Sequence, residues 1–292
     1  MTSTGALFSN DIEKAAESLK RLRPSYVDLL DFYTSVFMAQ EEAEQHLHIE
    51  PKKIPDQVLS IKEKEGFPLL QPSEFVIDKT VSTHLFKKIC QIASGVNETL
   101  TTSARHILDT INAEKFNFDR LFENLLNEKD TYFERVADDM QIEKRVLVFF
   151  TYSSIKPSLK VYARAIFDGN RSSVPWEKGF CPVCGSFPGI ASLENGGGKF
   201  LFCNFCWNKW RVQRIFCPFC ETEEQKALQY FYSEKESEYR VDTCSKCKKY
   251  IKTVDARNLD RIFYPPIEQI STLHLDMKAE ELGFTNPISL YQ

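Results

Sequence analysis

The chain has 292 residues, 42% hydrophobic and 27% charged. These values fit a soluble globular protein of about two domains and exclude a disordered chain. No apolar run reaches 18 residues, which excludes a transmembrane helix, and the formal net charge of −4 argues against a protein built mainly to hold nucleic acid.

Met1 to Asn10 lacks a basic stretch followed by an apolar one, so no secretory signal is expected. Helical patterns follow. Asp11 to Leu22 forms the first and ends before Pro24. Ser25, with Asp28 three residues on, is positioned to cap a second helix running to about Leu47. Its apolar residues Tyr26, Leu29, Leu30, Tyr33, Val36 and Phe37 recur at the spacing of a buried stripe. The stretch from Pro51 to Ser73, with Pro55, Pro68 and Pro72 inside it, predicts a long connection with helical pieces. Helices are expected again over Thr80–Ser94, Asn97–Asn112, Phe116–Asn127 and Asp138–Ile166. The last contains Val146, Leu147, Val148, Phe149 and Phe150 in one run, which predicts a helix surrounded on all sides, with Pro157 kinking or breaking it.

The composition then changes. Residues 1–170 carry 21 Lys+Arg against 26 Asp+Glu, and residues 171–292 carry 16 against 15. Eight of the nine cysteines lie beyond this point, and Cys90 stands alone in the first half as an apolar helix residue. The turn-forming stretch Asp168 to Pro175 reads as the linker. Short aromatic runs at Phe200–Phe202, Ala227–Tyr232, Tyr239–Val241 and Tyr250–Val254 predict strands of small hairpins, with Gly196–Gly198 as a turn. Residues Ile267–Leu282 return to helical spacing after Pro265 and Pro266, and Gly283 ends them.

The eight clustered cysteines form four Cys-x-x-Cys pairs, Cys181/Cys184, Cys203/Cys206, Cys217/Cys220 and Cys244/Cys247, separated by 18, 10 and 23 residues. One such pair presents two thiolates from a tight knuckle, and two knuckles complete a tetrahedral four-sulfur site. The short middle gap favours sequential grouping, 181/184/203/206 and 217/220/244/247, over an interleaved one. A disulfide framework needs an oxidising compartment, and four redundant catalytic dithiols have no evident use. Zinc and iron both accept this donor set, so the spacing leaves open two Zn or two Fe ions, each coordinated by four cysteine thiolates. Each cluster with a divalent ion contributes −2, which brings residues 171–292 to about −3 and speaks further against nucleic acid.

The knuckle Cys181-Pro-Val-Cys-Gly-Ser-Phe-Pro, the stretch Phe200-Leu-Phe-Cys-Asn-Phe-Cys, Trp210, Val212 and Arg214 resemble the FdhE family of formate dehydrogenase accessory proteins. Similar too are Leu228-Gln-Tyr-Phe, Cys244-Ser-Lys-Cys-Lys-Lys-Tyr250-Ile-Lys252 and the Leu273-His-Leu275-Asp276 helix. Residues 155–283 carry the specific motifs; the helical half resembles the family only loosely. The chain departs from the family pattern at Glu268 and Gln269, where aspartates are frequent, and at Arg211, where a His often stands. The resemblance implies a helical N-terminal domain, a rubredoxin-like C-terminal region binding iron, and a cytoplasmic role in forming active formate dehydrogenase through contact with its catalytic subunit. The charge balance and the lack of a long apolar run lead to the expectation of no nucleic acid and no membrane insertion, and a homodimer is left open.

Trp207, Trp210, Phe205 and Phe219 surround the knuckles; they form a client surface or fill the ribbon core, and the small size of a ribbon favours the core. Arg214 anchors a partner or covers the sheet. Tyr250 and Lys252 are further candidates for partner contact, although a structural role for them is favoured. Lys246, Lys248 and Lys249 read as a solvated strand edge. The five histidines show no ligand spacing with a carboxylate, and no Gly-x-Ser-x-Gly, His-Glu-x-x-His or Walker pattern occurs.

The expected fold is α+β. A helical domain over 1–170 precedes a tandem rubredoxin-like domain over 171–292, with ribbons at about 176–212 and 213–262 and a closing helix in 263–292. The expected function is a non-enzymatic, metal-binding assembly factor for a formate dehydrogenase catalytic subunit. A rubredoxin-type electron carrier and a tandem-ribbon nucleic-acid binder are the alternatives.

Overall fold

The computed structural model describes residues 9–169 and 175–287. Residues 1–8, most of the Asp168–Pro175 linker and the last five residues lie outside them. The fold divides into two units, one built from residues 9–50 and 72–162, the other from 51–71 and 163–287. Among the described residues no helix is long and apolar enough to cross a membrane.

The first unit is helical. It contains α1 (Ser9–Leu22), α2 (Val27–Glu44), α4 (Lys79–Ala93), α5 (Glu98–Asn112), α6 (Phe118–Leu126), α7 (Asp130–Met140) and most of α8 (Lys144–Gly169), while α3 (Asp56–Glu65) belongs to the second. Three of these helices begin at side-chain caps: Asp78, Asn97 and Asn117 accept from the backbone N–H of Val81, Leu100 and Arg120. Ser25 does not cap; it lies in a 3-10 turn, Pro24–Tyr26, and α2 starts from Tyr26 without a side-chain cap. The segment expected as one helix from Asp138 is divided, because Gln141 adopts a left-handed conformation that ends α7. Val146, Leu147, Val148 and Phe150 are all buried, and the half-buried Phe149 packs on Phe32 and Tyr33.

Pro157 does not break α8. A proline has no N–H for the carbonyl four residues back, here Ser153. The buried Gln40 of α2 supplies the missing donor, its Nε2 lying 2.7 Å from the Ser153 oxygen. A glutamine from the neighbouring helix thus satisfies the group that proline orphans.

The second unit holds a single six-stranded sheet in the order β3-β2-β1-β6-β5-β4. Strands β1 (Pro188–Leu193), β2 (Lys199–Cys203) and β3 (Lys209–Val212) form one antiparallel meander; β4 (Leu228–Tyr232), β5 (Tyr239–Cys244) and β6 (Lys249–Asp255) form another. A parallel pairing of β1 with β6 joins them, Ala191 opposite Thr253, Ser192 opposite Val254 and Leu193 opposite Asp255. The two ribbons are therefore halves of one sheet. Strands β1 and β3 escape the sequence patterns, and β1 does so because all six of its residues are buried and show no alternation.

The expected closing helix is two helices, α9 (Pro265–Ser271) and α10 (Leu273–Glu281). The hydroxyl groups of Ser271 and Thr272 both donate to the Glu268 carbonyl, which competes with helical pairing at the break. Leu275 and Ala279 of α10 complete a core with Ile190, Phe202, Tyr239, Val241, Tyr250 and Val254 on one face of the sheet. Within α9, the fully buried Glu268 pairs with Arg261 and accepts from the Tyr239 hydroxyl at 2.5 Å.

Candidate metal centres

The sheet brings the eight cysteines together in the sequential grouping. Cys181, Cys184, Cys203 and Cys206 form one cluster, and Cys217, Cys220, Cys244 and Cys247 the other; within each, the Sγ atoms all lie within 4.8 Å of one another. In the first, Cys181–Cys206 is 3.7 Å, Cys184–Cys203 3.4 Å and Cys184–Cys206 3.5 Å. In the second, Cys217–Cys247 and Cys220–Cys244 are each 3.7 Å. A tetrahedral ion with metal–sulfur bonds of about 2.3 Å separates its sulfurs by about 3.8 Å, so both donor sets fit such an ion.

All four knuckles share one backbone device. The residue after the second cysteine donates its N–H to the carbonyl of the first: Gly185 to Cys181 at 2.9 Å, Trp207 to Cys203 at 3.2 Å, Glu221 to Cys217 at 2.9 Å and Lys248 to Cys244 at 2.8 Å. Each of these residues takes a positive φ, between 56° and 75°. Only Gly185 does so without a Cβ; the other three accept roughly 1–2 kcal/mol of strain each. The chain reversal then aims N–H groups at sulfur. Val183 donates to the Cys181 Sγ, and Phe205 and Cys206 to that of Cys203, all at 3.4 Å.

The neighbouring thiols divide in their ionisation: against the cost of burial, hydrogen bonds from the other cysteines lower Cys184, and a backbone N–H at Thr222 together with the neighbouring thiols lowers Cys220. Burial, followed by the neighbouring thiols, pushes the Cys181 and Cys206 thiols well up, and in the second cluster burial raises Cys217 and brings Cys247 to about 11. A divalent cation at the centre would favour the thiolate form of all four sulfurs in each cluster.

The first cluster has a support that the sequence patterns do not reveal. The chain leaves α3 through Gly66, at φ 68°, and lays residues 67–70 along the first knuckle. Leu69 donates to the Pro182 carbonyl at 2.9 Å and Leu70 to that of Val183 at 2.7 Å. The Pro68 ring sits so close that a Cβ on Gly185 would approach it to 3.2 Å. Pro68 and Pro72 mark this stretch as part of a connection, but nothing local says what it pairs with.

The residues considered for partner contact separate. Trp210 is buried, its indole N–H donating to the Lys178 carbonyl at 3.2 Å. Trp207 is half-buried against the sheet core. Tyr250 and Lys252 are inside the sheet–helix layer rather than on a surface: the Tyr250 hydroxyl donates to Asp276 Oδ1 at 2.9 Å, and the Lys252 ammonium donates to Asp276 Oδ2 at 2.6 Å and to the carbonyls of Gln269 and Thr272 at 2.8 and 3.4 Å. Arg214 is exposed.

No family model matches the chain. It is 35% identical over 154 residues to the protein FdhE homolog of Aquifex aeolicus, a match covering 51% of this chain and 50% of that protein, so the chain spans about half the length of that relative. To the protein FdhE homolog of Proteus mirabilis it is 26% identical over 286 residues, covering 94% of this chain and 85% of the relative. The crystal structure of the FdhE protein from Pseudomonas aeruginosa matches 96% of the chain and 94% of its own with a TM-score of 0.66 at 17% identity, which shows a shared fold. Both sequence matches are to proteins named FdhE homolog, and the structural match is to a protein of the same name with which the chain shares its fold.

Proposed function

We propose, on the premise of FdhE kinship, that this chain is a metal-binding accessory factor and not an enzyme, acting in the cytoplasm on the catalytic subunit of a formate dehydrogenase during its maturation. Cys181, Cys184, Cys203 and Cys206 would hold one iron or zinc ion, and Cys217, Cys220, Cys244 and Cys247 a second. The observation that carries this reading is the completeness of both donor sets. Four cysteines per cluster at tetrahedral spacing leave no open position of the kind a catalytic metal keeps. Bound metal ties the knuckles of each ribbon together, and iron adds a one-electron step that zinc lacks. The chain's own contribution is the αL turn after each pair, the N–H groups aimed at sulfur, and the single sheet that carries both clusters. Arg214, exposed beyond β3, and the half-buried Trp207 are the sequence-selected residues best placed for client contact.

The test is recovery of tagged protein, anaerobically, from its own host, with mass spectrometry of what accompanies it. A formate dehydrogenase catalytic subunit should be enriched, and lost when Cys203 and Cys206 become Ser. Recovery of the chain alone, or with nucleic acid that salt removes, would overturn the accessory reading.

A further inference from the structure

The two clusters have the same donors and the same knuckles but different exposure. In the first, all four cysteines are buried, Cys181 and Cys203 completely. In the second, Cys217 and Cys244 are buried while Cys220 and Cys247 are partly exposed. The exposed pair contains the second cysteine of each knuckle, so the opening lies along one edge of the tetrahedron, the edge from Cys220 to Cys247.

Two further differences point the same way. The first cluster is sealed by the 67–70 strap, whose N–H groups at Leu69 and Leu70 are bonded to its own knuckle. Exposed Lys246 and Lys248 flank Cys247 at the second. A four-thiolate cluster with a divalent ion carries −2, and neighbouring ammonium groups favour the approach of an anionic ligand to it.

We propose that the clusters divide their roles: the first is a permanent structural site, and the second is the exchange site, where metal passes to and from external anionic or thiol ligands through the Cys220–Cys247 edge. This rests on the reading that both clusters hold metal. In exchange, the cation leaves four protein thiolates for the incoming ligand, no electron changes hands, and the freed thiolates take protons from water. Release at the first cluster requires the strap to lift, an opening step the second cluster does not need.

The experiment uses the full chain loaded with zinc and an excess of the chelator 4-(2-pyridylazo)resorcinol, whose colour reports the metal released. Two equivalents should leave in two phases of equal size, separated by roughly tenfold or more in rate, as an added local opening step demands. Iodoacetamide present during the fast phase should alkylate Cys220 and Cys247 before any cysteine of the first cluster, read by peptide mass spectrometry. Leu70→Pro deletes the N–H that bonds Val183 and should accelerate the slow phase alone. A single rate for both equivalents, first alkylation at Cys181 to Cys206, or a slow phase unmoved by Leu70→Pro would overturn the division of roles. A chain that binds no zinc at all would overturn the metal reading beneath it, and that outcome is distinct because no release is then seen.

Discussion

Lys252→Met tests whether a residue marked by sequence pattern works through structure or through contact with a partner. The ammonium is 3% exposed and its three acceptors are Asp276 and the carbonyls of Gln269 and Thr272. Those carbonyls lie where α9 ends, so Lys252 neutralises the negative end of a helix of seven residues as well as one carboxylate. Met preserves most of the volume and removes the charge. Breaking a buried pair from one side costs about 3–5 kcal/mol. Here the other side relaxes in part, because the Asp276 side chain is 19% exposed and keeps the Tyr250 hydroxyl. The expected loss is therefore about 2–4 kcal/mol. The assay is urea denaturation of zinc-loaded protein followed by tryptophan fluorescence; all three tryptophans, Trp176, Trp207 and Trp210, lie in the second unit, so the signal reports that unit alone. The double variant Lys252→Met/Asp276→Leu should lose less than Lys252→Met by itself, since it strands no charge. A Lys252→Met protein within about 0.5 kcal/mol of the parent, the range of an ordinary surface substitution, would refute the structural assignment.

Three other outcomes follow from the same structure. Gln40→Leu leaves the Ser153 carbonyl without its donor and should cost about 1–3 kcal/mol, seen as faster hydrogen exchange in α8, while Pro157→Ala restores an N–H there and should recover most of the loss. Gly179→Ala places a Cβ 1.9 Å from the Pro218 carbonyl oxygen, inside the third knuckle, so zinc content measured by atomic emission should fall from two equivalents towards one. Burial, with the Lys160 ammonium adding to it, lowers Lys156 to about 7. A lysine whose native pKa is depressed binds fewer protons folded than unfolded, so stability rises as pH climbs from about 7 towards the unfolded value near 10.4. Lys156→Met should flatten that rise in helical unfolding followed by circular dichroism, and an unchanged slope would show that Lys156 titrates normally.

The cysteine spacing carried most of the site, because a knuckle is a local object: two thiols three residues apart and a tight turn. The positive φ at Trp207, Glu221 and Lys248 was not legible, since only Gly185 has the residue type that such a turn favours. The caps at Asn97 and Asn117 are equally local, a side chain and an amide three residues away, yet the sequence pattern predicts a cap at Ser25, where none forms, and places Asn117 inside a helix. Pro157 misled for a complementary reason. The sequence shows the missing donor, but its replacement, Gln40, comes from a position 113 residues earlier.

What the sequence by itself determined is the helical character of the first half, the four knuckles and the period change near residue 170, all set by interactions that close within a few residues. Only the tertiary structure decided that β1 and β6 pair in parallel and fuse two ribbons into one sheet, that residues 67–70 seal one cluster and leave the other open, and that Lys252 turns inward to a helix end. These depend on which distant backbone groups and charges become neighbours once apolar surface is buried, and no local pattern specifies that.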